Sequence, residues 1–140
     1  MKKIAVITPV PDLINIFIEN SMIRKAIENQ VAQFHVINLR EYGKGKYRQI
    51  DDTPYGGGSG MLMMVEPLFD AIEKAMLIMN NSENIMVLYP SVQGKIWNQK
   101  AAENLTKFDN IIVICGHYKG IDERVIEKYV THEYSIGDFV

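Results

Sequence analysis

The sequence has 140 residues, of which 47% are hydrophobic and 23% are charged. This length suits one domain, and the balance provides enough apolar side chains for a single core. The formal net charge of −2 excludes whole-chain basicity as a source of affinity for nucleic acid, so any RNA contact requires a local basic patch. The single cysteine, Cys115, excludes an internal disulfide and a multi-cysteine zinc site.

The N-terminus carries two lysines and then a short apolar run that ends at Pro9. Such a run is too short for the apolar region of a signal peptide and far too short for a membrane span. We therefore expect a cytoplasmic protein.

The first part of the chain predicts a strand, two helices and a second strand. Ile4–Thr8 is a continuous apolar run ended by prolines, which predicts a buried strand. Asp12 is a plausible N-cap of the first helix, and Ser21 is a plausible N-cap of the second. The run FHVINL at residues 34–39 predicts the next strand.

From Arg40 to Gly60, charges, tyrosines and glycines replace the apolar periodicity. A loop of this length is uncommon in a compact domain unless it has a function or is disordered. The segment Glu66–Asn80 then predicts the clearest helix of the chain, because its apolar residues recur at helical spacing and form one stripe.

The rest of the chain alternates apolar runs with amphipathic segments. The predicted order is strand, helix, strand, helix: Ile85–Tyr89, Asn98–Lys107, Ile111–Cys115 and a helix from about Asp122. Alternation of this kind indicates βαβ units. We therefore predict an α/β fold with a largely parallel sheet flanked by helices, in one domain over residues 1–140.

Two of the predicted strands are followed by loops that contain glycine, Pro90–Gly94 and Gly116–Gly120. In open parallel sheets, ligands bind outside the carboxyl ends of the strands. Glycine also lets a backbone approach a ligand closely. The sequence therefore predicts a small-molecule site at this edge of the sheet.

The glycine-rich segment Tyr55–Met61 (YGGGSGM) matches neither of the common nucleotide-binding motifs. It lacks the Gly-Lys-Ser/Thr of a P-loop, and it lacks the third glycine and the preceding strand of a dinucleotide fingerprint. ATP and NAD chemistry are therefore disfavoured, and a flexible surface loop is an equally good interpretation of the composition.

A basic segment precedes these glycines. Its cations alternate with two tyrosines, a pattern that suits phosphate neutralisation and base stacking. A solvated charged loop has the same composition, so both interpretations stay open. The cations are Arg40, Lys44, Lys46 and Arg48, and the tyrosines are Tyr42 and Tyr47.

The three histidines, His35, His117 and His132, have no spacing typical of metal ligands, and no metal site is predicted. We expect His35 to lie on a solvated or hydrogen-bonded face of its strand. Cys115 closes a predicted buried strand, where a free cysteine usually behaves as a small hydrophobic residue.

Charged residues at one helix start have a simple structural interpretation. Asp122 and Glu123 complement the helix dipole, and Arg124 pairs with a neighbouring carboxylate. Asp138 follows Gly137 in a predicted loop, where it either orients a ligand or caps a turn.

Two strings carry a specific resemblance, DDTPYGGGSGMLMMVEPL (Asp51–Leu68) and CGHYKGIDERV (Cys115–Val125), and SIGDFV (Ser135–Val140) follows them. Along its whole length the chain resembles the bacterial tRNA (guanine-N1)-methyltransferases of the SPOUT, or knotted methyltransferase, class. The resemblance implies an α/β fold with a C-terminal trefoil knot that binds S-adenosylmethionine. It also implies a homodimer with the active site between subunits and guanine 37 of tRNA as the methyl acceptor.

Site residues follow from the same resemblance. Three knot loops would hold the cofactor: Tyr89, Ser91, Gln93 and Gly94 in the first, Gly116, Tyr118 and Gly120 in the second, and Ile136, Gly137, Asp138, Phe139 and Val140 in the third. The glycine segment would lie near the target guanine through Tyr55, Gly57, Gly58, Gly60 and Met61. The basic segment, with Arg40, Lys44, Lys46 and Arg48, would contact the RNA.

The chain departs from these relatives in two loops and at its end. Pro90 and Val92 stand where leucine and proline are expected, and Lys119 stands where many relatives have glutamate. Relatives continue past Val140 into the rest of the knot and a helical domain, and the aspartate expected as general base lies there. We therefore expect an incomplete knot, no assignable catalytic residue and little activity from these 140 residues alone.

Two alternatives remain open. One is a non-catalytic remnant of the family that dimerises or binds RNA. The other is a different RNA methyltransferase of the same knotted class, although the glycine segment and the GIDERV string argue against it.

Overall fold

The computed structural model describes residues 1–52, 62–116 and 120–137, and within them the chain forms seven strands and five α-helices. The strands are β1 Lys2–Thr8, β2 Ala32–Asn38, β3 Asp51–Asp52, β4 Leu62–Met63, β5 Ile85–Ile96, β6 Asn110–Ile114 and β7 His132–Ser135. The helices are α1 Pro11–Ile18, α2 Ser21–Glu28, α3 Val65–Ile78, α4 Gln99–Leu105 and α5 Glu123–Tyr129. Among these described helices, none is long and apolar enough to cross a membrane.

Five of the described strands form one sheet in the order β2-β1-β6-β5-β7. Every neighbouring pair in this sheet is parallel. Parallel strands require crossover connections, and helices supply them here. The α/β fold with a parallel sheet and flanking helices, predicted from the alternating pattern, is confirmed.

Helix α3 forms the core with one face of the sheet. Its side chains Leu68, Ala71, Ile72 and Ala75 are fully buried, in one cluster with apolar residues of β1, β5 and β6. Full burial of a large aliphatic side chain is worth about 1.5–3 kcal/mol, so this stripe is a principal source of stability. The helix predicted over Glu66–Asn80 is confirmed, with its bounds shifted by one or two residues.

Two predicted helix caps are wrong. Helix α1 begins at Pro11 with Val10 as its N-cap, so Asp12 lies inside the first turn. Proline suits the first helical position because its missing N–H would have had no helical partner there. Helix α2 begins at Ser21 itself, and Asn20, in an extended conformation, is its N-cap.

Strand β5 does not end at Tyr89, as the sequence had suggested. Pro90 and Lys95 both pair with Tyr134 of β7, so residues 91–94 leave the ladder and the strand then resumes. The predicted loop Pro90–Gly94 is therefore an excursion within a strand. Its two ends are tied to the same partner residue.

His35 lies on β2 opposite Ala5 of β1. Its Nε2 atom is buried and has no hydrogen-bond partner among the residues that the structure describes, so the expected hydrogen-bonded environment is wrong for this atom. Burial, and secondarily the nearby Lys3 ammonium, lower the pKa of His35 below its ordinary value of 6.5.

This histidine predicts an acid-sensitive fold. In the unfolded chain His35 takes up a proton near pH 6.5, whereas the folded chain resists protonation, so protons favour unfolding below that pH. We expect the free energy of unfolding, measured by urea denaturation from pH 8 to pH 5, to fall on acidification. His35→Leu should show a shallower fall. Equal pH dependence in the two proteins, which both retain His132, would contradict this assignment.

Candidate functional site

The predicted ligand loops converge at one edge of the sheet. Strands β6, β5 and β7 are parallel neighbours, so their carboxyl ends point the same way. The segment that begins at Gly116 follows β6, the 91–94 excursion interrupts β5, and Ile136 and Gly137 follow β7. Sequence-predicted residues from three separate parts of the chain are thereby brought together. Tyr118, Asp138, Phe139 and Val140 lie outside the described residues.

Gly94 lies where the backbone of β5 returns to β7. A Cβ atom added there would be 2.5 Å from the Glu133 carbonyl carbon and 2.6 Å from the Tyr134 nitrogen. Both contacts are with backbone, which cannot move aside as a flexible side chain can. Glycine is therefore required here by the pairing of the two strands.

Tyr89 is only 7% exposed, and its ring lies against the second loop. A Cβ atom on Gly116 would be 3.0 Å from Tyr89 Cε1, and one on Gly120 would be 3.2 Å from the Tyr89 hydroxyl oxygen. Burial raises the pKa of Tyr89, and a backbone hydrogen bond from Ile121 opposes part of that rise. The tip of the ring thus lies between the two ends of the 116–120 loop.

Short polar contacts shape the other two loops. Ser91 Oγ accepts a hydrogen bond from the Gln93 N–H at 3.2 Å, which forms a turn within the excursion. Ser135 Oγ donates to the Gly137 carbonyl at 2.8 Å and so closes the turn after β7. Ile136, within that turn, is 73% exposed. The loops therefore offer backbone polar groups beside an apolar side chain.

The two short strands that flank the glycine segment lie beside the second loop. Strands β3 and β4 pair antiparallel, and they flank residues 53–61 on either side. The Met63 N–H donates to the Gly120 carbonyl at 3.2 Å, and Met63 forms a parallel bridge with Ile121. Neither contact was foreseen in the sequence. The predicted site residues Tyr55, Gly57, Gly58, Gly60 and Met61 lie outside the described residues, but both ends of their segment are anchored next to Gly120.

Most cations of the basic segment have internal contacts. Lys44 Nζ is 3.4 Å from a carboxylate oxygen of each of Glu66 and Asp70 on α3. The Arg40 and Arg48 guanidinium groups donate to backbone carbonyls, at 3.3 and 3.1 Å. Lys46 Nζ lies over the neighbouring Tyr47 ring at 5.7 Å. Part of the positive charge predicted for RNA contact is therefore used within the protein.

Asp122 and Arg124 form the predicted local pair at the start of α5. Asp122 is the N-cap, and its Oδ1 accepts from the Arg124 N–H at 2.9 Å while its Oδ2 lies 2.8 Å from an Arg124 guanidinium nitrogen. The Arg124 guanidinium holds the pKa of Asp122 below its usual range.

Burial raises the pKa of the Cys115 thiol, which favours the protonated, unreactive form.

Fold and loops together define an open parallel α/β protein with loops at the carboxyl ends of adjacent strands, the place where such proteins bind ligands. The family model described as tRNA (Guanine-1)-methyltransferase TrmD matches residues 1–140. The chain therefore belongs to the tRNA (guanine-1)-methyltransferase family, and the SPOUT-type α/β fold is confirmed.

Individual relatives agree with this assignment. The chain is 38% identical to the tRNA (guanine-N(1)-)-methyltransferase of Clostridioides difficile over 96% of its own length and 58% of that protein. It is 43% identical to the enzyme of the same name from Christiangramia forsetii, over 99% of the chain and 60% of that protein. The crystal structure of tRNA (m1G37) methyltransferase from Aquifex aeolicus superposes with a TM-score of 0.85 at 34% identity, over 99% of this chain and 61% of that one.

The close approach at Gly94 predicts a large effect of a small substitution. In Gly94→Ala the new Cβ must displace the backbone of β7, and overpacking of this kind costs about 1–3 kcal/mol. We expect a clearly lowered thermal unfolding midpoint. Gln93→Ala, a change of an exposed neighbour, is the control and should leave the midpoint nearly unchanged. An equally stable Gly94→Ala protein would show that β5 and β7 are not packed this closely.

Proposed function

We propose that this protein transfers a methyl group from S-adenosylmethionine to N1 of guanine 37 in tRNA. The observation that carries the proposal is the convergence of three loops at the carboxyl edge of the sheet in a member of this family. The chain spans about three fifths of the length of the curated relatives, so the activity of the whole protein is part of the proposal.

The residues at this edge fit S-adenosylmethionine. Gly116 is exposed, and the position of its missing side chain faces Tyr89, so its backbone is a candidate for contact with a ligand. Val92 and Ile136, both largely exposed, offer apolar surface to a purine ring. When bound, the cofactor supplies a methyl group on a positively charged sulfur. The residues proposed to hold it are Tyr89, Ser91, Gln93, Gly94, Gly116, Tyr118, Gly120, Ile136, Gly137, Asp138, Phe139 and Val140.

The task of the protein is to align the acceptor nitrogen with that methyl group, and alignment supplies much of the rate advantage in such reactions. The antiparallel base formed by β3 and β4 fixes both ends of the glycine segment beside Gly120. We propose that this segment places guanine at the cofactor. Removal of the N1 proton requires a general base, and its expected position after Val140 stays a prediction.

A homodimer is part of the proposal. Helix α1 and the start of α2 expose Leu13, Ile16, Phe17 and Met22, each more than 60% exposed. Contiguous apolar side chains of this kind mark interaction surfaces. We propose that a second copy of the chain covers these side chains. We also propose that the protein is cytoplasmic, because its proposed tRNA substrate is found there.

The test compares the complete product of the gene with the 140-residue chain. Tritiated S-adenosylmethionine is incubated with tRNA carrying G37 and, as the matched control, with the same tRNA carrying A37. The proposal expects transfer to G37 alone, with N1-methylguanine identified by mass spectrometry, and less transfer from the 140-residue chain. Sedimentation velocity reports the dimer. Binding of tRNA by the complete product with no methyl transfer would instead favour the non-catalytic alternative.

The basic segment makes a separate prediction about RNA contact. Lys46→Ala and Lys44→Ala remove the same charge, but Lys44 is held by two carboxylates whereas Lys46 has no carboxylate within 4 Å in the described part of the chain. We expect Lys46→Ala to weaken tRNA binding more and to reduce the salt dependence of the affinity by about one ion. In a titration over several salt concentrations, an unchanged salt dependence for Lys46→Ala would contradict a direct Lys46–phosphate contact, and equal losses for the two variants would contradict the expected difference between the lysines.

A further inference from the structure

The two glycines of the second loop have a common neighbour. Gly116 and Gly120 both face the end of the Tyr89 ring, and neither has room for a Cβ atom without close contact to it. Tyr89 is part of β5 and pairs with Glu133 of β7, directly after the last residue of β5 that pairs with β6, Leu88. A buried aromatic ring on a paired strand thus meets both ends of the loop, Gly116 and Gly120, where no side chain is present.

We propose that Tyr89 is a positioning residue, whose ring sets the separation and orientation of the two ends of the 116–120 loop. It acts on the ligand through the backbone of Gly116, which is exposed. The expected effect of Tyr89 on cofactor affinity rests on the proposed function, since that function takes the loop to bind S-adenosylmethionine. The packing itself is independent of any ligand.

Burial of the Tyr89 ring supports this role over direct contact between the ring and the ligand, so at this position the main chain is what remains to hold the cofactor. Tyr89 is 7% exposed whereas Gly116 is exposed, so the Gly116 backbone lies between the ring and solvent. A ligand on the open side of Gly116 meets main-chain groups, with the ring behind them. The size of the residue at position 89 therefore controls where those main-chain groups lie.

The Tyr89 ring is also linked to the end of the glycine segment, because Gly120, which the ring contacts, hydrogen-bonds to Met63 of β4. The Gly120 carbonyl accepts the Met63 N–H at 3.2 Å, and Met63 is 1% exposed. Displacement of Gly120 must therefore strain or break the bond to β4. Tyr89 supports both the cofactor loop and the anchored base of the segment proposed to hold guanine.

The two glycines differ in a way that makes the inference testable. Gly120 has φ +125°, a conformation that strains any other residue whatever space surrounds it. Gly116 has no such angle, and its nearest contact is the Tyr89 Cε1 atom at 3.0 Å. An alanine at 116 should therefore be harmful because of the ring, and an alanine at 120 chiefly because of its own backbone.

The experiment is a double-mutant cycle on the complete product of the gene. The variants are Tyr89→Leu, Gly116→Ala, Gly120→Ala and the doubles Tyr89→Leu with each alanine. Affinity for S-adenosylmethionine is measured by calorimetry, and amide hydrogen exchange at Met63 and Ile121 is measured without ligand. We expect Tyr89→Leu and Gly116→Ala each to weaken binding about tenfold or more, since small misplacements in such sites have large effects.

The positioning role is identified by whether Tyr89→Leu relieves the loss of affinity that Gly116→Ala causes. Because leucine vacates the space that the added Cβ needs, the Tyr89→Leu/Gly116→Ala double should bind no worse than Tyr89→Leu alone. The Tyr89→Leu/Gly120→Ala double should show no such relief. Additive losses for the Gly116 pair, or unchanged affinity in Tyr89→Leu, would overturn the proposal.

Two further measurements separate the possible failures. Tyr89→Phe keeps the ring carbons, so it should retain most of the affinity even if Tyr89→Leu does not fold. If the wild type binds no S-adenosylmethionine, the proposed function fails. Faster exchange at Met63 in Tyr89→Leu, with Leu88 unchanged, would still support the positioning role, and unchanged exchange at Met63 would overturn it; Ile121 loses its own hydrogen bond to Tyr89 in this variant and is not used to decide.

Discussion

The close parallel pairing of β5 with β7 is the constraint on which the candidate site depends. At Gly94 the two backbones approach so closely that a single added carbon would lie 2.5 Å from the neighbouring strand. This approach lets β5 resume its ladder after the 91–94 excursion, with Pro90 and Lys95 both opposite Tyr134. The excursion is thereby held at the sheet edge, beside the ends of β6 and β7, where a ligand can reach it.

The glycines around this edge have structural roles that their sequence context does not reveal. In the sequence they suggest a backbone open to a ligand. In the structure, the missing side chain of Gly94 makes room for β7, and those of Gly116 and Gly120 make room for Tyr89. The two interpretations are compatible at Gly116, because one side of its backbone packs on the ring while the other is exposed. A glycine can thus serve the interior and a ligand at once.

Sequence patterns predicted those helices and strands whose own residues show which side of the element is buried. The apolar stripe of α3 and the buried runs of β1 and β6 were recognisable, because periodicity and continuous burial leave a direct trace in sequence. The course of β5 past Pro90 was not, since it depends on Tyr134, far along the chain. The contact between Met63 and Gly120 was missed for the same reason. Tertiary pairing between distant segments has no signature in one sequence.

Charge in the basic segment shows how the fold limits a function that composition alone suggests. Lys44 lies between Glu66 and Asp70, so this cation attaches the segment to α3. Exposed ion pairs contribute little free energy and weaken with salt, so the attachment is loose and reversible. A nearby polyanion would compete with the two carboxylates for Lys44, and phosphates would have to displace them. Of these two lysines, Lys46 is therefore the one more available to a phosphate, because its position over Tyr47 leaves its charge outside such a pair.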